Sequence, residues 1–149
     1  MTLDELNSTL SAALASGKVG TPVSLRLHLQ VTESRNDSVA HLALLMPLLQ
    51  TTFGSPPSRL LARRNAVADQ LTVLFNFAAG QSAMVTCGCG SARHTSLQLL
   101  LVGNRGVIRL EGGELFESAD VPEKSDAQFW RTLIERSITA GEPVSMSAS

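Results

Sequence analysis

Aromatic side chains are scarce in this sequence, at 4% of residues with no tyrosine, and charge of neither sign prevails: twelve Lys and Arg stand against thirteen Asp and Glu. With a net charge of −1, no basic run and no set of stacking aromatics, little is available to neutralise phosphates or stack on bases, so nucleic acid is not expected as a partner. Long apolar runs are missing too. The longest, around Leu42–Leu49, contains Pro47 and is too short to cross a bilayer. The start, Met1-Thr2-Leu3-Asp4-Glu5, is acidic where a signal peptide would be basic. The expectation is a cytoplasmic domain with no membrane contact. Its 149 residues, 44% hydrophobic and 17% charged, suit one globular unit that needs no disulfide or metal to hold its core.

Cysteine is nearly absent as well. Cys87 and Cys89, two apart on a strand, make poor disulfide geometry. With His94 they suggest three metal ligands, but a fourth ligand and the Cys-x-x-Cys spacing are lacking. No metal is expected, and buried strand thiols are the default.

What is present is strong local patterning. Thr2 and Glu5 form a capping box, and Leu3, Leu6, Leu10 and Leu14 recur at helical steps until Gly17 and Gly20-Thr21-Pro22 stop the helix. Val23, Leu25, Leu27, Leu29 and Val31 then alternate with Ser24, Arg26, His28 and Gln30, the period of a strand with one buried face. Residues 39–51 are apolar on all sides, which predicts a buried helix kinked or broken at Pro47. After Gly54–Pro57 come strand patterns at Arg59–Asn65, Asp69–Phe77, Ser82–Cys89, Thr95–Val102 and Val107–Leu110, then a short Leu115-Phe116 segment. Ala79-Gly80-Gln81 and Gly103-Asn104-Arg105-Gly106 supply hairpin turns. Ser125 and Gln128 cap a last helix whose stripe is Phe129, Leu133, Ile134 and Ile138, with Trp130 beside it. Short turns between consecutive strands require mostly antiparallel pairing. The prediction is an α+β fold, a mostly antiparallel open sheet with helices on one face. It forms a single domain over 1–149: leading helix 1–17, sheet 22–117 with an embedded helix at 39–51, closing helix 125–140, and a frayed tail 141–149.

Several strings point to a family. Leu10–Pro22, LSAALASGKVGTP, running into an alternating strand, resembles the start of the C-terminal domain of Gfo/Idh/MocA-type oxidoreductases. Leu101–Leu110, LVGNRGVIRL, is similar to that family's Gly-x-x-Gly hairpin. Phe129–Val144, ending ITAGEPV, resembles its terminal helix and Gly-x-Pro exit, and Asp37–Pro57 its Asp-x-Gly-x-His helix start with the Gly-x-Pro that follows. The order and spacing of these strings carry the resemblance. The family's other half is a Rossmann domain with a Gly-x-Gly-x-x-Gly turn and a Glu-Lys-Pro catalytic lysine. Neither motif occurs here, where the only lysines are Lys18 and Lys124. The resemblance therefore implies a second half standing alone, which binds no cofactor by itself and would meet NAD(P) only through a separate Rossmann-type subunit.

By the same resemblance Asp37 and His41 match a substrate-site pair, for which the resemblance implies a catalytic role. An imidazole titrates near neutrality, and a carboxylate one helical turn away can orient it on a small hydroxylated substrate such as a sugar or polyol. Two departures stand beside them: Val39 replaces the family's glycine, and Leu44 stands where many relatives have an acid. The alternative is structural, with Asp37 as a helix cap and His41 a residue of the first turn. His28 lies on the polar strand face, and His94 in a turn has no obvious partner.

The other face of the sheet carries Ser24, Arg26, His28, Gln30, Thr72, Asn76, Ser82, Thr86 and Gln98, mixed with Leu74, Met84, Leu100 and Val102. Poor in Lys and Glu, it suits burial against a second sheet, and the resemblance implies a homo-oligomer through this surface. The alternative is a solvated face rich in Ser and Thr. Two functions follow: an oligomerising substrate-binding or assembly module, or one half of a split NAD(P)-dependent dehydrogenase.

Overall fold

Leu25, Leu27 and Leu29 alternate with Arg26, His28 and Gln30 along β1 (Pro22–Val31), and the leucines are fully buried while their neighbours are not. The same two-residue period repeats along β2 (Arg59–Asn65), β3 (Gln70–Asn76), β4 (Ser82–Cys89), β5 (Ser96–Gly103) and β6 (Val107–Gly113). The structure, a computed structural model, describes residues 3–31, 38–65, 70–89, 96–113 and 124–146. Thr2, the Leu115-Phe116 segment and His94 lie outside them.

These strands and a short β7 (Val144–Ser145) form one seven-stranded sheet in the order β6-β5-β1-β4-β3-β2-β7. The fold is α+β and the pairing mostly antiparallel. The exception is β1 with β4, whose parallel register runs from Ser24↔Ser82 to Val31↔Cys89. A parallel neighbour requires a long crossover. Here it consists of the helix α2 (Ser38–Phe53) and the β2–β3 hairpin, and it moves the first strand to the middle of the sheet.

All three helices lie on the side of the buried leucines. α1 (Leu3–Ala15) packs on α2 through Leu6 and Leu10, and Thr51 of α2 donates to Asn7 Oδ1 at 2.7 Å. Gly17, at φ 80°, ends α1, since that left-handed backbone favours glycine. Leu42, Leu45, Leu48 and Leu49 of α2 are buried, each stabilising by roughly 1.5–3 kcal/mol. α2 runs unbroken through Pro47, so of the kink or break expected there the break does not occur. The proline sits on the exposed side of the helix, so its ring and the hydrogen bond lost toward Ala43 do not intrude on the sheet.

Three further expectations are revised. Val23 is 49% exposed rather than inward, because the register shifts between Pro22 and Ser24 and the bulge turns it out. In α3 (Lys124–Ala140) the inward stripe is the partly buried Trp130 with the buried Ile134 and Ser137; Phe129, one position off that spacing, is 55% exposed and stands edge-on to Trp130 at 5.0 Å. The segment after α3 is not all frayed tail. Val144 is buried and pairs with Leu60, and the Met146 amide donates to the Ser58 carbonyl at 2.8 Å, covering the start of the edge strand β2.

Candidate functional site

The first turn of α2 brings Val39 and His41 to the edge of the core; Asp37 lies outside the described residues. Val39 is fully buried, so its isopropyl group occupies volume that a glycine would leave open. His41 is half-buried, on the helix stripe that leads to the buried Leu48 and Thr52. Burial pushes its imidazole below the ordinary value of 6.5, which keeps it neutral at physiological pH. A neutral imidazole can accept a proton from a hydroxyl or donate one to a carbonyl, as general acid–base chemistry at this position would require.

The shift has a consequence for stability. The unfolded chain protonates His41 near 6.5 and the folded chain only at lower pH, so the unfolded state binds the extra proton first. The stability held by the neutral ring is complete above about pH 6.5 and drains away as the pH falls below it. Urea midpoints at about pH 7.5 and about pH 5.5 should therefore fall further in the wild type than in His41→Gln. Equal falls would take His41 out of the acid response.

The outer face of the sheet is a grid set by strand register. One row reads Arg109, Leu100, Arg26, Met84, Leu74, Leu61 across β6, β5, β1, β4, β3 and β2. The next reads Glu111, Gln98, His28, Thr86, Thr72, Arg63. Leucine and methionine thus form an apolar band with Arg26 set into it, and Met84 is 37% exposed. No helix covers this face among the described residues. Arg26, His28, Gln98, Leu100, Arg109 and Glu111 surround a depression of about 340 Å³ where β1, β5 and β6 run side by side.

Asp37 is thus untested by the geometry, and His41 stands on the helix side of the sheet while the depression opens on the other. Sequence reasoning found Arg26, His28 and Gln98 but stopped at β5, missing Arg109 and Glu111. The signal was present. The turn from Gly103 to Gly106 pairs Val102 with Val107, and counting back along both strands sets Arg109 beside Leu100. Among the described residues no His, Cys, Asp and Glu group suited to a metal ion occurs. Cys87 is buried in the core, and no described helix is long and apolar enough to cross a membrane.

This arrangement of sheet and helices is the fold of Gfo/Idh/MocA-type inositol dehydrogenases, as the sequence strings implied. A myo-inositol dehydrogenase from Corynebacterium glutamicum ATCC 13032 superposes with a TM-score of 0.74 at 11% identity, over 96% of this chain and 62% of its own. Myo-inositol 2-dehydrogenase from Lactobacillus plantarum gives 0.71 at 13% identity, over 95% and 61%. Scyllo-inositol dehydrogenase from Lactobacillus casei, solved with NAD(H) and scyllo-inositol, gives 0.67 at 10% identity, over 93% and 61%. The chain spans about three fifths of the length of these solved dehydrogenases. No protein-family model and no curated protein matches the sequence.

Proposed function

We propose that this chain is an assembly and substrate-binding module of oxidoreductase type, self-associating through the outer face of its sheet. The observation that carries the reading is the uncovered apolar band Leu61, Leu74, Met84 and Leu100, which crosses the sheet opposite the helices. Two copies stacked face to face would bury it in a two-fold, self-complementary contact. Such a contact resembles a sheet sandwich, with layers about 10 Å apart.

The likeness in fold to polyol dehydrogenases supports a second reading, in which the chain is half of a split NAD(P)-dependent enzyme acting on a sugar, polyol or related hydroxyl substrate. A Rossmann-type subunit would bring nicotinamide and the lysine, and Asp37 and His41 would line the substrate side. By itself the chain would then bind no dinucleotide.

Light scattering on the purified chain and on Leu74→Asp, flanked on the same row by Leu61 and Met84, tests the first reading. The wild type should run as a dimer or larger, and the variant as a monomer, because a desolvated carboxylate has no partner in an apolar band. A monomeric wild type would overturn it. Affinity purification from the source cells tests the second. A stoichiometric Rossmann-type subunit supports it, and His41→Ala should then abolish turnover by the pair while leaving its assembly intact.

A further inference from the structure

We infer that the depression on the outer face, between Arg26 and Arg109, is a binding site for a small hydroxylated oxyanion, a ligand with one phosphate or carboxylate group. The two arginines stand two strands apart with Leu100 between them, an α-carbon separation of about 9–10 Å. Guanidinium groups on stems of that length can meet over the leucine and grip one oxyanion from two sides. Among the described residues neither arginine has a carboxylate within ion-pair distance. Glu111, two residues along β6 from Arg109, leaves that guanidinium unpaired, so both positive charges stay available to a ligand.

The next row supplies the rest of the site. Gln30 lies over Gly88, its amide 3.1–3.2 Å from where a Cβ would sit, and its nitrogen is hydrogen-bonded to His28 Nε2 at 2.9 Å. His28 and the Gln30 amide bonded to it thus add polar groups beside the arginines. Gln98 and Glu111 carry acceptor oxygens about 7 Å along the strands from the arginine row, the distance from an oxyanion to hydroxyls on a short carbon chain. A volume of about 340 Å³ holds a ligand of that size and not a folded segment of protein.

The charge balance of the face asks for such a ligand too. Among the described residues, Arg26, Arg59 and Arg109 stand against one outward carboxylate, Glu111, while Arg63 turns over the β2 edge to the Gly141 carbonyl at 3.2 Å. Symmetric pairing of two copies would set this positive excess against itself, and an oxyanion held by each copy would offset it. The site does not depend on that pairing, since a single chain presents the same depression.

Calorimetric titration of inorganic phosphate and of glycerol 3-phosphate into the chain, in chloride buffer, tests the site. Saturable binding of one phosphate per chain is expected with Kd below about 10 mM, and glycerol 3-phosphate should bind more tightly. Arg26→Gln and Arg109→Gln should each weaken both ligands about tenfold, whereas Arg59→Gln, off the depression, should leave them unchanged. All three arginines are exposed, so melting curves should confirm that the variants fold. No saturation, or an equal loss in Arg59→Gln, would overturn the site, the latter reducing it to diffuse surface charge. Equal affinity for the two ligands would overturn the role given to Gln98 and Glu111. Phosphate binding by a chain that stays monomeric would sustain this site while refuting assembly through the face.

Discussion

Replacing Gly103 with alanine should destabilise the protein by about 2–4 kcal/mol, which for a chain of this size lowers Tm by roughly 5–15 °C. The β5–β6 hairpin tip lies directly on the connection between α1 and β1. Asn104 donates its amide to the Thr21 carbonyl at 3.0 Å, Arg105 donates to the Val19 carbonyl at 2.9 Å, and Thr21 donates back to Asn104 Oδ1 at 2.8 Å. A Cβ on Gly103 would land on the Val19 carbonyl oxygen and its buried side chain, and backbone cannot step aside as a flexible side chain can. All three hydrogen bonds would be strained together. Gly17→Ala is the control. Its φ of 80° also favours glycine, but its Cβ would meet nothing within 4 Å, so the cost should be only about 1 kcal/mol. Equal losses in the two variants, read from urea denaturation, would mean the tip is not docked.

Ser137→Ala should cost about 2–3 kcal/mol, far more than serine to alanine on a helix surface, where alanine is favoured. The Ser137 hydroxyl is fully buried. It accepts from the Ala62 amide of β2 at 2.9 Å and donates to the Glu142 carbonyl at 2.8 Å. Among the described residues β7 pairs with β2 only at Arg59 and Leu60, and no other described strand borders β2 beyond that point. One side chain of α3 thus satisfies a strand amide and a carbonyl beyond the helix end at once, and alanine leaves the buried Ala62 amide without a partner. Hydrogen exchange gives an independent reading: protection of the Ala62 amide should fall in the variant by more than the global loss accounts for. A cost below about 0.5 kcal/mol would mean that water replaces the hydroxyl.

Both positions show where the chain is legible and where it is not. The turn from Gly103 to Gly106 announces a hairpin, and the alternation on either side announces its strands, because those signals are spaced along a few consecutive residues. That the tip lands on Val19 is written nowhere near it. Ser137 reads as an ordinary helix serine one residue outside the Phe129–Ile134–Ile138 stripe. Only the distance between α3 and the β2 edge makes it a bridge. His41 stands between these cases: its place in the first turn of α2 follows from local pattern, whereas its burial, and so its depressed pKa, comes from packing.

The sequence by itself determined the three helices and the strands β1 to β6, with most of their boundaries and the alternation that sets their inward faces, since helix periodicity, strand alternation and glycine turns are properties of short stretches. It also pointed to the α+β layer arrangement, because short turns demand antiparallel neighbours. The tertiary structure alone decided which strands became neighbours across long separations. It set β1 between β4 and β5, turned Val23 out at a bulge, drew Val144 back onto the sheet edge and placed Arg26 and Arg109 on either side of Leu100. Pairing between strands is a nonlocal contact, won by the arrangement that buries the whole inner face against the helices, and no single strand carries that information.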